Sequence, residues 1–208
     1  MPERSSILMN IEEIREKSLE IQKYSQILYD RKLVSAAGGN VSARCSDGIL
    51  ITGTNVSLRE VSDDGLVYCD ISGNVMQRDN NNAKPSKETK FHLAVYKLRD
   101  DVNYVIHVHP CYSILWSLTN EPLPMLTQSA LLKIKQAPII PSGKPGSEDL
   151  VNKVKNTISE YGKDCDTYLM AEHGILVMGR TMEECFNSAE LLEDTAKIAY
   201  LHAMFNKK

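Results

Sequence analysis

The sequence predicts a single α/β domain spanning residues 1–208. Three observations carry that prediction. Segments with helical period alternate with short, β-branched apolar runs that have strand character. No internal repeat, low-complexity tract or linker-like break divides the 208 residues, a length near one domain's worth. Hydrophobic residues make up 42% and charged residues 25%, the usage of a globular chain with one buried core rather than of a disordered, collagen-like or coiled-coil one.

The elements follow in order. Ile11, Ile14, Leu19, Ile21, Tyr24, Ile27 and Leu28 recur on one broad face and predict a first helix over 11–28. A glycine turn at Gly38-Gly39 leads into a strand near Val41–Arg44, Ser46-Asp47-Gly48 turns the chain, and Ile49–Thr52 returns. Gly53-Thr54-Asn55 is a loop. Leu66–Asp70 and Asn74–Met76 flank Ile71-Ser72-Gly73 as a hairpin, and Asp79–Asn82 reads as a polar surface loop. Ser86 is a natural N-cap for a helix running to Leu98, with Phe91, Ala94, Val95 and Leu98 inward. Asn103–Val108 is a strand stopped by Pro110, and a short helix follows over Cys111–Leu118. Ala137–Ile140 is a strand and Glu148–Tyr161 an amphipathic helix. Thr167–Ala171 and Ile175–Met178 are strands joined by Glu172-His173-Gly174, and Met182–Met204 is the final helix.

Composition narrows the function. Lys and Arg number 24 against 27 Asp and Glu, a net charge of -3, which gives no electrostatic footprint for nucleic acid. No apolar run approaches the roughly 20 residues that cross a bilayer, and Met1–Ile21 is too charged for a signal peptide. The five cysteines, Cys45, Cys69, Cys111, Cys165 and Cys185, are widely spaced without a C-x-x-C. That fits a reducing compartment, and the protein reads as cytoplasmic.

The sharpest chemical feature is His107-Val108-His109. Residues two apart in a strand share a face, so both imidazoles could bind one zinc; two half-buried strand histidines would look the same. His173 sits in a tight turn between two apolar strands, where a third ligand can reach a site built by another strand, although turn histidines are common. Glu88 lies in a helix's first turn, where the dipole favours a carboxylate whether or not it does chemistry. Three histidines and a carboxylate would close a four-ligand shell. A carboxylate that moves aside opens a catalytic position and becomes a base. Gly39-Asn40, Thr54-Asn55 and Ser86-Lys87 are candidate anion sites by turn and helix-start geometry, and each is equally plain turn chemistry. His92 is read as packed, and His202 as complementing its helix's dipole.

Taken together and in order, Gly39-Asn40-Val41-Ser42, Ile51-Thr52-Gly53-Thr54, Lys84-Pro85-Ser86-Lys87-Glu88, Phe91-His92, His107-Val108-His109-Pro110 and Glu172-His173-Gly174 resemble the class II aldolase/adducin family across nearly the whole chain. The resemblance implies a central, mainly antiparallel sheet with helices on both faces, and a homotetramer with active sites at subunit interfaces. It implies His107, His109 and His173 as zinc ligands, although manganese, cobalt or iron also suit the donors. Glu88 would be the acid/base that completes the metal shell without substrate. Gly39, Asn40, Thr54, Asn55, Ser86 and Lys87 would hold the substrate phosphate. The implied reaction is cleavage of a small ketose 1-phosphate, of the L-fuculose 1-phosphate type, into dihydroxyacetone phosphate and an aldehyde through a metal-stabilised enediolate.

Departures point to alternatives. The family's aldolase has serine at Lys87 and glycine at Asn55. It also has a tyrosine proton donor after Leu123-Pro124, where this chain reads Met125-Leu126-Thr127-Gln128, and a longer C-terminal tail than one stopping at Lys208. Lys87 and the missing tyrosine favour a decarboxylase or dehydratase of a sugar-acid or sugar phosphate, with 3-oxo-tetronate-phosphate decarboxylation as the type. Glutamate rather than aspartate at Glu88 speaks against the family's epimerase. A metal-free adducin-like scaffold and a zinc hydrolase are the remoter readings.

Overall fold

The computed structural model describes residues 2–76 and 83–205; the expected polar loop at Asp79–Asn82 lies outside the described residues. The strands are β1 (Asn40–Cys45), β2 (Gly48–Thr52), β3 (Leu66–Asp70), β4 (Tyr104–Val108), β5 (Ile139–Ile140), β6 (Thr167–Met170) and β7 (Gly174–Gly179). They form one sheet in the order β3-β2-β1-β4-β7-β6-β5. Every pairing is antiparallel except β5 with β6. The helices are α1 (Pro2–Asp30), α2 (Thr89–Leu98), α3 (Cys111–Ser117), α4 (Glu148–Tyr161) and α5 (Met182–Phe205).

Alternation along the strands sorts side chains onto two faces. Val41, Ala43, Tyr104, Ile106, Val108, Ile175 and Val177 enter a core with Ile21 and Leu28 of α1 and with Met182, Cys185, Ala189 and Leu192 of α5; Tyr112 and Trp116 of α3 pack against it. Ile49, Ile51, Val105, Leu176 and Met178 face the other way, onto Phe91 and Val95 of α2 and Leu150, Val154 and Ile158 of α4. The result is the expected sheet between two helical layers. Each fully buried Ile or Leu contributes about 1.5–3 kcal/mol.

α4 illustrates how closely local rules specify an element. Ser147 Oγ accepts from the Leu150 amide at 3.2 Å, and Glu148 and Asp149 occupy the first turn. Leu150, Val151, Val154, Thr157 and Ile158 form the buried stripe, and Gly162 ends the helix at φ +59°.

Several expectations change. α2 starts at Thr89 with Glu88, not Ser86, at the N-cap; a turn precedes it in which the Ser86 carbonyl accepts from the Thr89 amide and hydroxyl and Ser86 Oγ accepts from the Glu88 amide. Leu98 is exposed. The expected hairpin after β3 does form: Cys69 bridges Val75, the Asp70 amide donates to the Asn74 carbonyl at 2.9 Å and the Met76 amide to the Tyr68 carbonyl at 2.8 Å, while the Asp70 carboxylate accepts from the Ser72 and Asn74 amides in the turn. β5 keeps only Ile139–Ile140 of the expected strand, and a π-helical turn over Ala130–Ile134 precedes it, closed by Lys135 at φ +64°. His92 is fully buried, as its packed reading expects, and His202 lies in the last turn of α5. The five cysteines are unpaired. No helix of the described residues is long and apolar enough to cross a membrane.

Candidate metal centre

β4 delivers His107 to the α2 side of the sheet, where Phe91 of α2 meets its ring edge-on at 5.4 Å between centroids. His109 follows one residue past the strand, and its Nε2 lies 2.9 Å from His107 Nε2. His173 arrives from the turn between β6 and β7. Its ring centroid is 4.7 Å from that of His107 and 5.2 Å from that of His109. One nitrogen from each of the three imidazoles falls within 4.8 Å of the others.

The backbone is shaped for this convergence. A Cβ on Gly38 would stand 2.8 Å from His109 Nδ1, and one on Gly174 would stand 2.3 Å from the Val108 carbonyl oxygen and 2.8 Å from His109 Cδ2. α3 clamps both histidine segments. The Glu193 carboxylate of α5 accepts from the Tyr112 and Ser113 amides at 2.9 and 2.8 Å, fixing the helix that follows His109-Pro110. Ser117 Oγ, at the far end of α3, accepts from the Glu172 amide at 3.1 Å and holds the turn that carries His173. Glu172 sits at φ +62° in that turn.

Electrostatics prepares the donors. His107 Nδ1 donates to the Ile175 carbonyl at 2.8 Å, which turns Nε2 toward the centre. Burial pushes His109 down to about 3 and His173 down to about 4, and repulsion from His107 adds to both. Both rings are therefore neutral at neutral pH, the form that ligates a cation. Glu88 is buried at the start of α2. Its Oε2 lies 3.2 Å from His107 Nε2 and its Oε1 3.3 Å from His173 Nε2, and Asn40 Nδ2 donates to Oε2 at 2.8 Å. Burial alone would raise the Glu88 carboxyl. The His107 charge and hydrogen bond, the Asn40 amide and His173 outweigh it and hold the group well below the usual carboxylate range.

These residues fit a divalent cation. Donors about 2.0–2.1 Å from a tetrahedral zinc stand roughly 3.3 Å apart. His107 Nε2 lies 2.9 Å from His109 Nε2 and 3.2 Å from Glu88 Oε2, and His173 Nε2 lies 3.3 Å from the other Glu88 oxygen, Oε1. Glu88 Oε1 is also buried without a hydrogen-bond donor among the described residues, a deficit that a cation at the centre removes.

A profile of the family described as Class II Aldolase and Adducin N-terminal domain matches residues 19–200. The chain belongs to this family. An L-fuculose phosphate aldolase of Methanococcus maripaludis is 31% identical over 182 residues, covering 88% of this chain and 95% of the relative. A 3-oxo-tetronate 4-phosphate decarboxylase of Haemophilus influenzae is 31% identical over 194 residues, covering 90% and 88%. Among solved structures, an L-fuculose 1-phosphate aldolase superposes with a TM-score of 0.83 at 28% identity, covering 91% of this chain and 87% of that one. These class II aldolase relatives are lyases.

The family member's candidate anion turns come together beside Glu88. Gly53 bridges to Pro85, and the Thr54 amide donates to the Lys84 carbonyl at 2.9 Å, so the turn after β2 lies against the segment entering α2. Thr52 Oγ1 accepts from the Val41 amide at 3.1 Å, which joins the Gly39-Asn40 turn to the same edge. Gly39 takes φ +73° with the His107 carbonyl beneath it. Asn55 takes φ +62°, a left-handed conformation that asparagine tolerates better than most residues, so it can stand where the family aldolase has glycine. Ser86 Oγ accepts from the Glu88 amide at 3.3 Å and keeps its own proton to donate. Lys87 is exposed beside Gly146. Gln128 is exposed on the segment leading into the π-helical turn.

Three partnerships have no local sequence signal: Asn40 with Glu88, Glu193 with the start of α3, and Ser117 with Glu172. Their partners lie 48, about 80 and 55 residues away, and each residue alone reads as ordinary turn or helix composition.

Proposed function

We propose that the protein is a zinc-dependent lyase that cleaves a small ketose 1-phosphate, of the L-fuculose 1-phosphate type, into dihydroxyacetone phosphate and an aldehyde. One observation carries this: three imidazoles and an ionised, buried carboxylate converge within reach of one cation, beside a cluster of candidate anion-binding turns. His107, His109, His173 and Glu88 would hold the cation. When bound, it supplies a Lewis acid for negative charge developing on substrate oxygens. Glu88, displaced toward the substrate, moves the proton at the carbon beside the ketose carbonyl. Asn40 aims the Glu88 carboxylate, and the Ile175 carbonyl keeps His107 in its ligating orientation. Gly39, Asn40, Thr54, Asn55, Ser86 and Lys87 bind the phosphate. The unpaired thiols support a cytoplasmic setting. Exposed apolar side chains on the 111–136 stretch, among them Leu131 (50%) and Leu132 (68%), support a homotetramer whose neighbouring subunit completes the site.

The test is metal content and turnover of wild type beside Glu88→Gln. Wild type should hold about one zinc per chain and release dihydroxyacetone phosphate from a ketose 1-phosphate. Glu88→Gln should keep zinc and lose roughly 10²–10⁴-fold in turnover; a variant with wild-type turnover sinks the role given to Glu88. A second reading, decarboxylation of a 3-oxo-tetronate 4-phosphate, is favoured by Lys87, which adds a cation for a doubly anionic substrate, and by the 31% identical decarboxylase. Carbon dioxide release from that substrate, without ketose 1-phosphate cleavage, would select it.

A further inference from the structure

Behind Glu88 runs a buried chain of hydrogen bonds whose members beyond Asn40 the lyase reading leaves without a task. Asn40 Oδ1 lies 2.5 Å from His92 Nε2, His92 Nδ1 lies 2.7 Å from Ser42 Oγ, and Ser42 Oγ lies 2.8 Å from Tyr96 Oη. His92 and Ser42 are fully buried, and Asn40 and Tyr96 nearly so.

Chemistry fixes the direction of every bond. An ionised carboxylate only accepts, so the Asn40 amide must turn Nδ2 toward Glu88 and Oδ1 toward His92. His92 Nε2 must then carry the proton that Oδ1 accepts. His92 is fully buried and its two ring nitrogens face Asn40 Oδ1 and Ser42 Oγ, neither of them charged, so a neutral ring is favoured, and its Nδ1 accepts from the Ser42 hydroxyl. Ser42 in turn accepts from Tyr96. Four donors point in series at one anion, an arrangement in which each bond polarises the next. Reversing the His92 tautomer would set a lone pair against Asn40 Oδ1 and favour a flipped amide, which would aim an oxygen at Glu88.

We propose that His92 is a positioning residue: as the Nε2–H tautomer it locks the Asn40 amide so that Nδ2 holds the Glu88 carboxylate between His107 and His173. The proposal rests on the lyase reading for its effect on turnover, but not for its effect on the tautomer.

Two readouts test it in the zinc-loaded full chain. In ¹⁵N-histidine NMR at pH 7, wild-type His92 should appear as the neutral Nε2–H form; an Nδ1–H or doubly protonated ring overturns the proposal whatever the reaction. In kinetics, His92→Phe keeps an aromatic ring without the donor, and should lower kcat by about 10–100-fold while zinc content stays near one per chain. His92→Gln, whose amide can place N–H where Nε2–H stands, should recover most of that loss. If His92→Phe turns over like wild type, or if both variants are equally impaired, the ring is only packing and the proposal fails. Should His92→Phe not fold, Ser42→Ala replaces it: removing the hydroxyl that fixes the tautomer should lower kcat several-fold with zinc retained, and an unchanged kcat is equally fatal. Wild type that cleaves neither candidate substrate while showing the Nε2–H form overturns the lyase reading and, with it, the catalytic purpose of the lock.

Discussion

Gly174→Ala tests whether the geometry around the histidines sets metal affinity. Gly174 opens β7 beside the end of β4, and an added Cβ would stand 2.3 Å from the Val108 carbonyl oxygen and 2.8 Å from His109 Cδ2. Real Cβ contacts do not go below 3.0 Å, so the carbonyl must retreat by at least about 0.7 Å and the His109 ring must turn away. The neighbour at the first contact is backbone in the last pair of the β4–β7 ladder, Val108 opposite Ile175, and cannot move without disturbing that pairing. Overpacking of this kind costs about 1–3 kcal/mol, which lowers the Tm of a domain this size by roughly 2–12 °C. Ligand positions tolerate only about 0.2 Å, so zinc affinity should fall at least about 10-fold, measured by competition against a chromogenic chelator. Gly162→Ala is the control. Its φ is +59° with nothing within 4 Å of the new Cβ, and it lies at the end of α4, away from the histidines. With ψ at -137° as well, it should cost about 1–3 kcal/mol through backbone strain and leave zinc affinity unchanged. Wild-type zinc affinity in Gly174→Ala, or equal loss in both variants, would refute the reasoning.

Two further outcomes follow from the charges. Burial pushes His92 and His109 down to about 3 and His173 to about 4, from an ordinary 6.5. The folded chain thus binds fewer protons than the unfolded one between about pH 3 and 6.5, and its stability is complete above that window and lost as pH falls through it. Glu88, held low, acts in the same direction once pH drops below its ordinary 4.5. Urea midpoints of the chelator-treated protein should therefore be lower at pH 5 than at pH 7.5; equal midpoints would show that the imidazoles are not buried neutral. Arg99, only 3% exposed, donates to both Asp101 oxygens at 2.9 Å, to Asp166 at 2.6 Å and to the Gly162 and Cys165 carbonyls at 2.9 Å. Arg99→Ala should cost about 3–5 kcal/mol in urea unfolding, and Arg99→Lys should recover only part, since one ammonium cannot serve that fork. A loss under about 1 kcal/mol for Arg99→Ala would refute this.

What could be read from the sequence follows the range of the interactions. The pairing of His107 with His109 is a period-two signal that continues one residue past the end of β4. The alternation that places Ile106 and His107 on opposite faces is equally local, as are the Ser147 cap and the Gly162 stop of α4. Glu88 was legible as a carboxylate at a helix start but not as the N-cap itself, because its side chain makes no cap bond and turns to Asn40 and the histidines instead, while Ser86 Oγ takes the Glu88 amide. The hairpin after β3 is equally local: Asp70 gathers the Ser72 and Asn74 amides in the turn, and Asn74–Met76 returns along β3. The π-helical turn at 130–134 follows no apolar period.

The least legible feature is also the one on which the proposed chemistry depends most. Asn40, in a glycine turn, reads as an anion-binding residue, and one Nδ2 hydrogen remains for that use. Its other contacts commit it to Glu88 on one side and His92 on the other. That commitment arises from register: β1 pairs Asn40 with His107, so the residue beside a histidine across the ladder is also the one facing the start of α2. A carboxylate serving as both cation ligand and proton carrier needs two resting places of similar energy. An amide held by a buried histidine keeps one of them in place without adding charge, since a cationic donor in that position would bind Glu88 too tightly for it to leave. On this argument, replacing Asn40 with a cationic residue should harm turnover more than replacing it with alanine, even though the lysine would place a positive charge closer to an incoming phosphate.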